Sequence, residues 1–168
     1  FERALEYANR WAELTPDDVR VQELLAKLHL RTGGEEEAIA QMEKVMAMNP
    51  NDFQTLSGLA THYQSRGEFD KAFDAYEKLH QNDAQNLLYL EKLRTLSRER
   101  QKSKTYQLTI LQKMHRLQPD NLAIIETLAD QTEAEKWIKK GFQLDPQNGR
   151  LQYLMGDICY KKWQTSTT

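Results

Sequence analysis

Four histidines and one cysteine are the side chains of this 168-residue chain best suited to metal binding or nucleophilic chemistry. His29, His62, His80 and His115 lie far apart in sequence. None forms an HxxxH or HExxH pair, the spacing that puts two imidazoles on one helix face for a metal. His80 and His115 occupy equivalent places in a repeating pattern, so their spacing reflects register. Cys159 has no nearby histidine to take its proton, and as the lone cysteine it makes no internal disulfide. There is no Gly-x-Ser-x-Gly nucleophile elbow and no phosphate-cradling P-loop. No catalytic residue, metal ligand or cofactor is therefore expected, and the chain is not expected to be an enzyme.

The strongest local charge lies between Glu91 and Lys104. Lys92, Arg94, Arg98, Arg100, Lys102 and Lys104 face only Glu91 and Glu99 there. Lys92, Arg98, Arg100, Lys102 and Lys104 form a candidate basic face, either simply solvated or open to an acidic partner or an anionic polymer. No aromatics are interleaved to stack on bases, which argues against nucleic acid. A net charge of −2 with 29% charged residues exerts no global pull toward polyanions. No apolar run approaches the ~20 residues of a membrane span, so no direct membrane insertion is expected. The chain opens at Phe1-Glu2-Arg3-Ala4, already in a helical pattern and without an initiator methionine. That suggests a fragment of a larger chain.

The prolines supply the framework. Pro16, Pro50, Pro119 and Pro146 sit in one phrase: Thr15-Pro16-Asp17-Asp18, Asn49-Pro50-Asn51-Asp52, Gln118-Pro119-Asp120-Asn121 and Asp145-Pro146-Gln147-Asn148. Pro16 and Pro50 are 34 positions apart, and a further 34 reaches Asp83-Ala84-Gln85-Asn86. Such a period marks a repeat array. Each phrase is expected to start a helix, with Thr15, Asn49, Asp83, Gln118 or Asp145 as N-cap and proline as the first helical residue. Within 53–86, Leu56, Leu59, Ala60 and Tyr63 make one apolar helical stripe. Gly67 breaks the pattern, and Ala72, Phe73, Tyr76 and Leu79 make a second stripe. Two helices joined by a tight turn follow, with Ala60 and Ala72 allowing close approach.

Leu56, Leu59-Ala60, Tyr63, Gly67, Ala72 and Tyr76, repeated more loosely from Gln22 to Pro50, resemble the tetratricopeptide repeat (TPR) pattern. The resemblance covers essentially the whole chain. It implies an all-α fold, a right-handed superhelical solenoid of antiparallel helix hairpins. The expected organisation is a single array over 1–163: a part-repeat 1–14, repeats at about 17–50, 51–84 and 85–119, a shortened repeat 120–146, and a terminal helix 147–163. Residues 164–168 are expected to be a disordered tail.

Two units depart from the pattern. In 85–119, Arg94 and Gln107 hold the close-approach positions, no glycine marks the turn, and one residue is extra, so the second helix must shift or pack loosely. Tyr106 to Ile110 alternates like a strand, but Leu108, Leu111, Met114 and Leu117 fit a helix better. In 120–146, the stripe of Leu122, Ile125, Leu128 and Ala129 loses phase before Trp137, Ile138 and Phe142. A stunted hairpin is expected, with Thr132-Glu133-Ala134-Glu135 as a capping box.

In TPR proteins the first helix of each repeat lines a concave groove for ligands. The resemblance places Arg20, Glu23, Lys27 and Arg31 there, then Gln54, Ser57, Thr61 and Gln64, then Glu91, Thr95 and Arg98. The chaperone-binding subclass uses a Lys–Asn clamp; Glu23, Lys27, Gly58, Leu88 and Lys92 at those places do not supply it. The expected function is a non-catalytic scaffold binding a partner protein or peptide along the groove. Two alternatives are self-association through terminal helices near Trp11 and Trp163, and a bacterial envelope scaffold for secretion or exopolysaccharide export.

Overall fold

A computed structural model of the chain describes residues 1–166, among which there are ten α-helices and no strand. They are α1 (Glu2–Leu14), α2 (Val19–Thr32), α3 (Glu35–Met48), α4 (Phe53–Ser65), α5 (Phe69–Asn82), α6 (Leu87–Glu99), α7 (Lys104–Leu117), α8 (Leu122–Thr132), α9 (Glu135–Leu144) and α10 (Gly149–Ser166).

The proline phrases do precede helices, but three residues earlier than expected. Thr15, Asn49, Asp83, Gln118 and Asp145 close the preceding helices α1, α3, α5, α7 and α9 instead of capping the next ones. Each proline is the second residue of a β-turn, where its fixed φ is favourable. Backbone bonds close these turns: Asp18 N–H to Thr15 O (3.1 Å), Asp52 to Asn49 (3.1 Å), Asn121 to Gln118 (3.2 Å) and Asn148 to Asp145 (3.3 Å). The last Asp or Asn of the phrase is the true N-cap. Asp18, Asp52, Asn86 and Asn121 each accept from a first-turn backbone N–H. Asn148 does the same for Leu151 at 3.0 Å.

The chain divides into two compact units, Phe1–Ala84 and Gln85–Thr168. In the first, α1 packs on α2, α2 on α3, α3 on α4 and α4 on α5. Ala8, Val21, Leu25 and Leu28 form one buried cluster; Ala26, Ile39, Met42 and Leu59 form the next. Ala38, Ala60 and Ala72 are completely buried, the small side chains that close approach between paired helices demands. The turns inside the two hairpins pass through left-handed glycines, Gly33 (φ 83°) and Gly67 (φ 75°). Gly34 N–H to His29 O and Glu68 N–H to Tyr63 O, both 2.9 Å, complete Schellman-type ends.

In the second unit, α6 pairs with α7, α7 with α8, α8 with α9, and α10 packs against both α8 and α9. Ala129, Ile138, Leu151 and Ile158 form its best-defined buried cluster. Gln101 (φ 48°) takes the left-handed turn position 34 residues after Gly67, and the same Schellman bond runs from Lys102 N–H to Ser97 O at 2.8 Å. The extra residue is absorbed by the turn: Ser103 caps α7 by accepting from Tyr106 N–H at 3.2 Å. Gln107 donates to Lys102 O at 2.9 Å. α6 and α7 pack less closely than α2 and α3.

The segment 120–146 folds as two short helices of 11 and 10 residues. The expected capping box does not form. Glu133 is left-handed (φ 49°), Thr132 Oγ1 bonds back to Leu128 O at 2.5 Å, and Ala134 begins α9 without a side-chain cap. At the other end, α10 continues through Gln164, Thr165 and Ser166, within the stretch 164–168 expected to be disordered. Thr165 and Ser166 hydroxyls bond to Lys162 O and Trp163 O, both at 2.9 Å, which satisfies carbonyls of the last turn. Thr167 and Thr168 lie outside the described residues.

Candidate functional site

α2 and α4, the first helices of consecutive hairpins, carry the first eight expected groove residues. Three of them, Glu23, Lys27 and Gln54, line one cleft of about 440 Å³. Ala26, Met42 and Val45 give that cleft apolar lining, and Leu30, Asp52 and Thr55 complete much of the rest. Lys27 Nζ lies 3.9 Å from Glu23, one turn away. Lys27 is largely solvated and Glu23 half-buried, so the pair contributes little stability and leaves Lys27 open to exchange partners. Leu30 remains 41% exposed. Leu30 and Met42 were not among the expected groove residues. Leu30 carried a signal, a leucine on the same helix face as Lys27 and one turn from it.

Arg20, Arg31, Ser57, Thr61 and Gln64 are not among the residues lining this cleft. Arg20 is committed elsewhere: its guanidinium meets Asp18 at 2.7 Å and lies 6.0 Å from the centre of the Trp11 ring. That contact holds the Asp18 carboxyl below the usual carboxylate range and fixes the helix cap. Thr61 Oγ1 donates to Ser57 O at 3.0 Å, within α4.

In the second unit, Glu91, Thr95 and Arg98 share α6. Glu91 lines a smaller cleft of about 150 Å³ together with Arg94, Asn121 and Thr127. Arg94 thus belongs to a cleft as well as to the α6–α7 packing, and its Nε is buried without a partner. The basic face spans three settings: Lys92 and Arg98 on α6, Arg100 and Lys102 in the turn, Lys104 at the start of α7. Arg98 and Lys104 are exposed; Lys92, Arg100 and Lys102 are half-buried.

Ionisable groups also meet between α7 and α9. His115 Nε2 is 3.3 Å from Lys140 Nζ, and the ring stands edge-on to Trp137 with centroids 4.8 Å apart. Burial, then the Lys140 charge, push the His115 imidazole below its ordinary value. Among the described residues no cluster of three or more His, Cys, Asp or Glu could hold a metal ion. Nor is any described helix long and apolar enough to cross a membrane.

Capped helix pairs recurring at a period of 34 residues, shortened only in the last step, define an all-α, TPR-like solenoid. Residues 1–126 match the family model described as "Psidin, N-terminal TPR repeats region", and the chain belongs to that family. No curated protein matches it. Among solved structures it is similar to the MamA protein, at 15% identity and TM-score 0.59, covering 85% of this chain and 81% of that one. It is similar to YrrB, titled a TPR protein with an unusual peptide-binding site, at 18% identity and TM-score 0.58, covering 95% and 86%. A tetratricopeptide repeat protein from Parabacteroides merdae ATCC 43184 aligns at 17% identity and TM-score 0.53, covering 98% of this chain and 67% of that chain. At these identities the likeness is one of fold.

Proposed function

We propose that this chain is a non-catalytic scaffold that recruits a partner protein through a peptide or helix laid along the α2–α4 groove. The fold suggests protein–protein interaction. The α2–α4 cleft supports the finer reading: its apolar floor at Ala26, Met42 and Val45 sits among Glu23, Lys27, Asp52 and Gln54. Such a surface takes one apolar anchor and fixes its register with polar contacts. A groove built on helices is largely preformed, so the repeat side loses little conformational freedom on binding. YrrB, on the same fold, is described as having an unusual peptide-binding site.

Capture from a lysate of the source cell tests this, with wild type beside Lys27→Glu/Leu30→Glu. The structure favours that pair over one including Arg20, whose charge serves the α2 cap. A partner held by wild type and lost by the variant is expected. Equal capture by both, with the variant still helical, overturns the groove. A second reading, self-association, rests on α10: Tyr153, Tyr160 and Trp163 are 73%, 57% and 60% exposed. It predicts a concentration-dependent sedimentation coefficient that Tyr153→Ser/Trp163→Ser removes.

A further inference from the structure

A second cleft, of about 720 Å³, opens between α1 and α3 beside the start of α2. Its lining includes Ala12 and Glu13 from α1, Asp17 from the turn, Gln22 from α2, and Gln41 and Lys44 from α3. Gln22 is only 3% exposed. Its Nε2 donates to Pro16 O at 3.0 Å, which fixes the direction of the amide. Gln22 Oε1 is then buried with no donor, and Gln41 Oε1 is in the same condition. Buried amide oxygens without a donor are uncommon because they forfeit their hydration.

The repeat shows what packing alone would put there. Steps of 34 from Gln22 reach Leu56, Leu90 and Ile124, all buried apolar residues. The same step takes Ala12 to Met46 and Gln41 to Ala75. The corresponding cleft between α3 and α5, lined by Met46, Leu56, Leu59 and Ala75 among others, is about 280 Å³. The α1–α3 cleft is thus enlarged where a methionine becomes alanine, and made polar where an aliphatic becomes glutamine.

Its chemistry selects the occupant. The unsatisfied atoms are acceptors, and Glu13 and Asp17 outnumber Lys44 in negative charge. A carboxylate or phosphate would bring more acceptors and the wrong sign. Guanidinium brings only donors, in a planar fork able to serve two amide oxygens. The volume exceeds a single side chain and admits flanking backbone. We infer that this cleft binds an arginine side chain of a peptide partner, with Glu13 and Asp17 as countercharge and the Gln22 and Gln41 side chains shifting to open their buried Oε1 atoms to its guanidinium. The site is separate from the α2–α4 groove, and neither depends on the other.

The test is a titration of acetyl-Gly-Arg-Gly-amide into the isotopically labelled chain, reading the side-chain amide resonances of Gln22 and Gln41. Both should shift and saturate, with the citrulline tripeptide about tenfold weaker because it lacks the charge. Free arginine should bind more weakly than the tripeptide; equal binding would overturn the peptide assignment in favour of a small amine ligand. Gln22→Leu should abolish the Gln41 response while raising the thermal midpoint by about 2–4 °C, since leucine is the packing residue of the register. Glu13→Gln/Asp17→Asn should weaken the arginine peptide without moving the midpoint. If the arginine peptide gives no saturable shift, or citrulline equals it, the proposal is overturned. A lowered midpoint in Gln22→Leu with arginine binding intact would show instead that Gln22 merely secures Pro16.

Discussion

In the α4–α5 hairpin, Ala60 and Ala72 are both fully buried and Gly67 turns the chain. In the α6–α7 hairpin the matching places carry Arg94, Gln107 and Gln101. The same architecture results from different means. The first hairpin brings two backbones together over methyl groups and leaves the turn unstrained. The second keeps its helices less closely packed, bonds Gln107 to the Lys102 carbonyl, adds Ser103 as a cap and holds a glutamine in left-handed backbone. Conformity to the repeat and departure from it are thus physically separable, and they can be exchanged between hairpins.

The largest effect should come from moving the α6–α7 residue into the α4–α5 hairpin. Ala72→Gln forces a longer, polar side chain into a site with no room, and should cost about 3 kcal/mol by urea denaturation. Gln107→Ala should cost less than about 1 kcal/mol. Equal costs would mean the two interfaces are packed alike. Next is Gly141, the close-approach residue of α9. A Cβ there would overlap Leu151 Cδ1, and Leu151 is completely buried. Gly141→Ala should therefore cost about 2 kcal/mol, and Gly141→Ala/Leu151→Ala should show coupling in a double-mutant cycle.

The turns give smaller effects of opposite sign. A Cβ on Gly67 meets nothing within 4 Å, so Gly67→Ala isolates the backbone cost of left-handed geometry, about 1 kcal/mol. Gln101→Gly removes that cost from the other hairpin and should stabilise by roughly 0.5–1 kcal/mol. A destabilised Gln101→Gly would show that the glutamine side chain does more than tolerate the turn.

The smallest effect concerns pH. The folded imidazole of His115 is pushed below its ordinary value of 6.5 by burial and by Lys140. The unfolded chain binds the proton first, so stability falls as pH drops below about 6.5. Lys140 and Asp120 face the ring electrically, with Trp137 against its edge. His115→Phe should flatten that decline between pH 7 and 5 in thermal melts. An unchanged slope would show that His115 is not its source; Asp18, Glu68 and Glu135, held below the usual carboxylate range by their cationic partners, lose their contribution only at more acidic pH than this window.

The hairpins were legible because a 34-residue period and the stripes around Leu56 and Ala72 need no tertiary information. Helix starts were misplaced by three because Thr15-Pro16 fits an N-cap followed by a first helical residue as well as it fits the start of a β-turn. Only the fold shows that Thr15 is already closing α1. Thr132 failed as a cap for a similar reason: its hydroxyl serves the helix behind it. Glu23, Lys27 and Gln54 came from carrying the TPR groove positions onto this chain; that they line one cleft and Arg20 does not is visible only in the fold, because Arg20's bond to Asp18 depends on where the cap falls. Gln22 and Gln41 carried a signal that went unused, since comparing Gln22 with Leu56, Leu90 and Ile124 requires only the period.

The central claim is that recruitment belongs to the α2–α4 groove and not to the basic stretch of the second unit. Calorimetric affinities of the captured partner for wild type, Lys27→Glu/Leu30→Glu and Arg98→Glu/Lys104→Glu test it most directly. The account predicts at least about a tenfold loss for the first variant and less than about twofold for the second. The reverse order would contradict it and place the interface on the Lys92–Lys104 face.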